Sequence, residues 1–531
     1  MKNLINRATT VLAVFVLSLL ITACGQAPAD SSIKVSIEKP KVGYVRLSEP
    51  VLVNFNHKIS PTDVSVTIDP ATAIDVNLQA SKLTLKPIKG WRAGQIYAVA
   101  LKNLRSPGSS AKLQSWSGSF RTQPRIGVAG YLVDGQPVTG TPQLKPQAKV
   151  AIAFTAPMNP DTVGPLRNGA PSAVNWAPDF KSATFAGVIE PYQTYKFSIV
   201  GIGGPPKTAR GDSATDLDDF NATGINVLPS NATSEIPAGF TTQTPLLVVI
   251  DNAGQARPQH GLQQADMVYE YISEYGISRF TMIYFNHPAS LMGPVRSCRM
   301  INAFLLSAFH GIQMCSGASV GTLHHLFGDA NLPLLAVSIN DFDRGNHYYR
   351  VGFKAAPHNV FTDRDRAERL RGEMKYGTSS QYVIDTPHED NGLGTAADPP
   401  TVGLHGVRYS YDGDCQCYRP FDQGSPRVDA NLNGAQLAVK NVLLMHVPFH
   451  DAGWVEDDNG GARSIQYEMN GSGPADLWSD GKLIHATWHQ GTAGQNYFQN
   501  DGQPLYLTDE AGNYVRLNTG LTWVHAIGNG Q

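Results

Sequence analysis

The rhythm of hydrophobic and polar positions changes three times along this 531-residue chain. Residues Val11 to Ile21 form one unbroken apolar stretch behind Lys2 and Arg7, too short to span a bilayer with margin. From 34 to 228 apolar and polar residues alternate between Gly and Pro punctuation, which predicts short β-strands. This region repeats itself. Val53-Asn54-Phe55-Asn56-His57-Lys58-Ile59-Ser60-Pro61 returns as Ala153-Phe154-Thr155-Ala156-Pro157-Met158-Asn159-Pro160. Leu83-Thr84-Leu85 returns as Ala183-Thr184-Phe185, and the alternation from Gln95 to Val99 as that from Thr194 to Ser198. Two all-β sandwiches follow from the pattern, at 34–123 and 124–228, then a linker over 229–241 centred on the polar Pro229 to Ser234.

Beyond Pro245 the texture differs. Leu246 to Ile250 is continuously apolar, as in a strand covered on both faces. Met267 to Ser273 and Arg279 to Phe285 predict strands of a hairpin around Glu274-Tyr275-Gly276-Ile277. Met300, Ile301, Phe304, Leu305 and Ala308 fall at helical spacing within 297–309. Gly311 to Met314 is strand-like, Thr322 to Phe327 helix-like and Leu334 to Ile339 strand-like. Thr362 and Asp365 cap a helix bearing Ala367, Leu370 and Met374. Strands interleaved with helices predict an α/β or α+β domain over 242–377. A Gly/Pro/Asp-rich break gives a linker over 378–401. A β-rich domain over 402–531 follows, with strands at Val442 to Met445, Leu505 to Leu507 and Thr522 to Val524.

Composition supports this outline. Only 16% of residues are charged, while Gly (51) and Pro (35) are abundant, a mix suited to turn-rich secreted β structure. A net charge of −2 without a basic run gives a nucleic-acid partner no electrostatic support. Leu20-Ile21-Thr22-Ala23-Cys24 resembles the lipobox of bacterial lipoproteins. The resemblance implies a signal peptide over 1–23, a lipid on Cys24 and a tether over 24–33. The expected address is the cell envelope, either the outer face of the cytoplasmic membrane or, in a two-membrane organism, the outer membrane, since Gly25 rather than Asp follows the cysteine. Cys298, Cys315, Cys415 and Cys417 could pair in three ways, and spacing does not choose among them. No metal site or cofactor is expected, Cys415-Gln416-Cys417 being too sparse for a ligand set.

Four polar groupings over 257–359 have no explanation as core. They are Arg257-Pro258-Gln259-His260-Gly261-Leu262 with Ala265-Asp266-Met267-Val268-Tyr269-Glu270; Glu274-Tyr275-Gly276-Ile277-Ser278-Arg279; Gly293-Pro294-Val295-Arg296-Ser297-Cys298-Arg299; and Arg350 with Ala356-Pro357-His358-Asn359. Together they resemble the YerB-like lipoprotein family of paired domains of unknown function, Ser278 standing where the family pattern has Thr. Lys440-Asn441-Val442, Gly471 to Ala475 and Gly520 to Trp523 extend the resemblance over 240–531. The resemblance implies architecture and address rather than a reaction. The repeated element around Phe55 and Phe154 resembles bacterial Ig-like envelope modules, which implies spacers.

Arg296 and Arg299, three apart where a loop enters a helix, suit an anion such as phosphate or carboxylate, with Arg350, His358 and Asn359 completing the pocket. The competing expectation is structural: arginines held by Asp266, Glu270 or Glu274 in a buried network that also takes in Arg257 and Arg279. Gly317-Ala318-Ser319-Val320-Gly321 also matches a nucleophile elbow. A hydrolase or transferase would then use Ser319 with His358 and Asp341 or Asp343. Binding or scaffolding of an envelope component, such as an anionic glycan, peptidoglycan or another envelope protein, is the leading expectation.

Overall fold

The computed structural model describes residues 32–61, 64–108, 110–231, 244–285, 287–325, 346–374, 382–385, 392–403, 406–457, 460–494 and 502–528. The apolar leader, Cys24, the tether before residue 32, linker residues 232–241, the strand expected at Leu334 to Ile339, Asp341 and Asp343 lie outside the described residues. Two compact units emerge, Met1–Gly127 with Lys207–Asp216, and Val128–Pro206 with Leu217–Gln531. No helix among the described residues is long and apolar enough to cross a membrane.

In the first unit, strands Val35–Ile37, Val51–Phe55, Lys82–Pro87 and Ile74–Gln79 make one sheet, and Ser65–Asp69, Ile96–Arg105 and Lys112–Arg121 another. Val53, Leu83 and Leu85 of the first sheet share one core with Tyr97, Val99 and Leu101 of the second. The 207–216 segment, expected within the second sandwich, belongs here. Asp212 is buried and needs a cation, and Arg46 Nε supplies it at 2.7 Å while the Tyr44 hydroxyl also donates to it.

The second unit opens with a copy of this arrangement, two five-stranded sheets between Val128 and Gly224. The sequence repeat is a repeat of hydrogen bonds. Phe55 N–H donates to Ser81 O and Phe154 N–H to Lys181 O, both at 2.8 Å. Ile59 and Met158, both buried, donate to Ala80 O and Phe180 O. The Tyr97 and Tyr195 hydroxyls each accept from a backbone N–H five residues upstream.

The remainder is built on one mixed sheet. Its strands are β1 (Leu246–Asp251), β2 (Met267–Ile272), β3 (Ser278–Tyr284), β4 (Ile312–Met314), β5 (Asn441–His446), β8 (Gly471–Ser479), β9 (Lys482–Gln490), β10 (Tyr506–Asp509), β11 (Tyr514–Val515) and β12 (Thr522–Ile527). A hairpin of β6 (Phe449–Asp457) and β7 (Ala462–Tyr467) stands beside it. The order across the sheet is β4-β1-β3-β2-β12-β5-β8-β9-β10-β11, with Thr395–Ala396 joining β9. The segments 242–377 and 402–531, expected as separate domains, therefore contribute neighbouring strands: β2 pairs in parallel with β12.

Burial explains the apolar runs. Leu247 and Val249 of β1 face one core while Leu246, Val248 and Ile250 face another, so no position is left for a polar residue. Helix α1 (Met300–Phe309) lies in the first of these cores with every residue buried, which overrides the amphipathic reading of its sequence. Two shorter helices follow, α2 (Val320–Leu323) and α3 (Arg364–Met374). Of the three pairings open to the four cysteines, the structure shows Cys298–Cys315 and Cys415–Cys417.

Candidate functional site

Five segments converge on one polar cleft of about 500 Å³. They are the end of β1 at Asp251, the β2–β3 turn, the 296–299 stretch before α1, the Gly317–Val320 turn after β4, and the end of β6 at Glu456 and Asp457. The turn is tight because Tyr275 (φ 58°) and Gly276 (φ 69°) both take left-handed backbone, which lifts the Tyr275 ring to the rim. Backbone hydrogen bonds Ser316 N to Arg296 O and Cys298 N to Gly317 O lace the arginine stretch to the glycine turn, and the Cys298–Cys315 disulfide ties the same two segments.

Three guanidinium groups and four carboxylates line the cleft: Arg279, Arg296 and Arg299 against Asp251, Glu274, Glu456 and Asp457. Burial lowers the pKa of all three arginines, yet a guanidinium stays protonated. Arg279 donates to Ser297 O at 2.8 Å and to Glu274 at 3.0 Å. Arg299 meets Glu274 and Glu456 and donates to Cys298 O at 2.6 Å. Burial alone would raise the Glu456 carboxyl. Arg299, the Thr322 hydroxyl at 2.7 Å, Ser464 and the Ser319 N–H bring it below the ordinary glutamate value instead.

Arg296 is different. Its Nε stands 3.1 Å from Asp251 Oδ2 but out of line for a hydrogen bond, and its two terminal nitrogens have no partner among the described residues. The Nε of Arg299 is likewise buried without a partner. The carboxylates of the cleft already have donors: Tyr275 Oη donates to Asp457 at 2.7 Å, and Asp251 receives Ala253 N–H and His358. The buried Nε atoms of Arg296 and Arg299 are the donors left without a hydrogen bond, and they suit an acceptor.

The other motif residues divide between this cleft and two interior clusters. His358 Nδ1 lies 2.6 Å from Asp251 Oδ2, the oxygen that also faces Arg296, so the histidine buttresses the cleft without lining it. Arg350 is exposed and donates to Asn359 at 2.6 Å. Arg257 donates to Asn252 and lies 3.4 Å from Asp422. Asp266 pairs with no arginine among the described residues. Burial raises its pKa, and it accepts from Ser230, Asn231 N–H and Phe285 N–H at 2.7–2.9 Å. Glu270 is fully buried and takes Arg427, which the sequence reading did not single out, at 2.9 Å. Arg427 also holds Asp422 and is sandwiched between the Phe280 and Trp523 rings, whose centroids lie 5.1 and 5.0 Å from its Cζ. The buried charges form two clusters, Arg279–Glu274–Arg299–Glu456 at the cleft and Glu270–Arg427–Asp422 inside.

The G-x-S-x-G match has a structural cause at each position. Gly317 needs left-handed backbone (φ 94°). Ser319 caps α2, its Oγ accepting from Thr322 N–H at 3.1 Å. A Cβ on Gly321 would sit 2.3 Å from the Trp454 ring. Ser319 itself is extended (φ −65°, ψ 163°), not held in the strained turn that raises a nucleophile, and His358 is engaged by Asp251. Asp341 and Asp343, the acids of the elbow reading, lie outside the described residues, and among the described residues Ser319 and His358 are not hydrogen-bonded to each other.

Sequence reasoning missed Asp251, Glu456, Asp457 and Arg427. Asp251 carried a weak signal as the polar residue closing an apolar strand. The β6 residues carried none, because they reach the cleft across about 150 residues of chain.

A mostly β, multidomain protein with a polar cleft between two sequence halves is the class so defined. Residues 232–376 match the N-terminal domain of a protein family of unknown function, DUF3048, and 401–524 its C-terminal domain, together more than half of the chain. The chain belongs to this YerB-like family. It is 26% identical to YerB of Bacillus subtilis (strain 168) over 294 residues, covering 54% of this chain and 82% of that one. A crystal structure of YerB from Bacillus subtilis covers 55% of this chain and 93% of its own, at 24% identity and a TM-score of 0.44.

Proposed function

We propose that this protein is a lipid-anchored envelope protein that binds an anionic group of an envelope component in the cleft at Arg296. The observation that carries the reading is the pair of buried donors there without a hydrogen bond, Nε of Arg296 and Nε of Arg299, in a space whose carboxylates are already partnered. The lipobox at Cys24 and the name of the Bacillus relative, a lipoprotein, support the anchor. The two all-β repeats act as Ig-like spacers, and the α/β segment over 242–377 with the β-rich 402–531 forms the binding portion.

Titration with purified peptidoglycan fragments and anionic glycans tests this. Arg296→Ala removes binding while the melting temperature stays close to wild type, because Arg296 is partly exposed and lightly held. Unchanged binding by that variant would sink the reading. Lipidation is read separately, by loss of membrane association in Cys24→Ser.

A further inference from the structure

We propose that Cys415 and Cys417 form a redox-active pair that exchanges its disulfide with a dithiol of another molecule, a chemistry independent of the Arg296 cleft. The two disulfides of the described residues are unlike one another. Cys298–Cys315 spans 17 positions, and both of its cysteines are fully buried in the core that holds α1. Cys415–Cys417 spans 2, on the turn of a hairpin between strands Val407–Asp412 and Cys417–Asp422. A bond that closes so few residues removes little freedom from the unfolded chain, so the fold gains little from it.

The two cysteines differ in exposure. Cys415 is half-buried between exposed neighbours, Asp414 and Gln416, whereas Cys417 is 1% exposed. An incoming thiolate therefore meets Cys415 first. The turn that presents it is held by contacts that do not depend on the S–S bond. Asp412 pairs with Cys417 across the hairpin, and its carboxylate accepts from Asp414 N–H and from Arg419 Nη2, each at 3.1 Å. Lys440 Nζ donates to Cys415 O at 2.7 Å and to Gln416 O at 3.1 Å. Cys415 Sγ lies 3.7 Å from Asp412 O, an acceptor for its S–H once the bond is open. The two sulfurs thus stay side by side in the reduced chain, which is the condition for closing again.

The exchange needs no further oxidant. A partner thiolate attacks Cys415 Sγ, the Cys415–Cys417 bond breaks, and Cys417 leaves as a thiolate that takes up a proton. The partner's second thiolate then attacks the partner's own sulfur in the mixed disulfide. Cys415 is released and protonated in turn. The partner dithiol has lost two electrons and two protons to become a disulfide, and the cysteine pair has gained them.

The test equilibrates the full chain in glutathione buffers, quenches in acid, alkylates, and reads each cysteine by peptide mass spectrometry. The Cys415–Cys417 pair opens at an excess of reduced glutathione about tenfold or more below that which opens Cys298–Cys315. Cys417→Ser carries glutathione on Cys415, and Cys415→Ser carries less on the buried Cys417. Wild type oxidises a two-cysteine peptide or dihydrolipoate stoichiometrically, the faster of the two telling whether the partner is a polypeptide or a small molecule. The double variant Cys415→Ser/Cys417→Ser oxidises neither and melts close to wild type. Opening of both disulfides together, absence of an adduct on Cys415, or oxidation by the double variant at the wild-type rate would overturn the proposal. So would a large fall in its melting temperature, which would make the bond structural.

Discussion

Arg296 and Arg299 sit three residues apart in one motif, yet burial gives them opposite jobs. Arg299 is buried between Glu274 and Glu456, so Arg299→Ala leaves the buried Glu456 without an ion-pair partner among the described residues and costs about 3–5 kcal/mol of unfolding free energy. Arg296→Ala costs less than about 1 kcal/mol, since its partly exposed ion pair is screened by solvent. Denaturant melts of the two variants separate the roles. The same network sets a pH dependence. The Glu456 carboxyl is held below its ordinary value, so its contribution is present above that value and disappears as pH falls through the folded one. Glu456→Gln should flatten the acid limb of stability against pH while lowering stability at neutral pH; an unchanged acid limb would show that the carboxylate is not coupled to Arg299. At this scale the sequence exposed which residues were unusual but not whom they met. Motif spacing singled out Arg279, Arg296, Arg299, Glu270 and Glu274. Their partners Glu456 and Arg427 come from beyond residue 400, and no local pattern announces a contact across that distance.

At the scale of elements, packing and capping account for the residues of the glycine turn between β4 and α2. Gly321→Ala drives a Cβ into Trp454 and should cost about 1–3 kcal/mol. Ser319→Ala loses a helix cap worth about 1 kcal/mol. A fluorophosphonate probe should label neither the wild type nor Ser319→Ala, and labelling of the wild type alone would restore a hydrolase. The disulfide beside this turn closes a sequence separation of 17 residues. Replacing Cys298 and Cys315 together with alanine should cost about 3 kcal/mol by the chain-entropy relation. Most elements were readable: the β2–β3 hairpin, both repeats with Phe55 and Phe154 at equivalent places, and α3. Helix α1 was found by its spacing, but its burial on every side was not, because that depends on neighbours on the far side of the sheet. The return of 207–216 to the first unit was hidden for a related reason: Asp212 marks it only once Arg46 is known to be near.

At the scale of the whole molecule, the two halves of the family region stand or fall together. Strand β12 lies between β2 and β5 at the middle of the sheet, and Trp523 on it covers Arg427 and donates to Glu270 at 2.9 Å. A chain ending at residue 400 should therefore show no cooperative unfolding transition for its 242–377 portion, as measured by calorimetry, and should bind the hydrophobic dye ANS. Composition and alternation made the mostly β architecture legible. The boundary expected over 378–401 obscured the shared sheet, because a linker in sequence does not show whether the strands on either side pair.

The position of β12 also has a consequence in time. The β2 edge that it covers is made some 250 residues earlier in the chain. At ordinary synthesis rates of about 5–20 residues per second, that edge waits for roughly 10–50 s with its backbone groups unpaired. A nascent chain in that state carries an open strand edge, and the sheet closes only when the latecomer strand arrives.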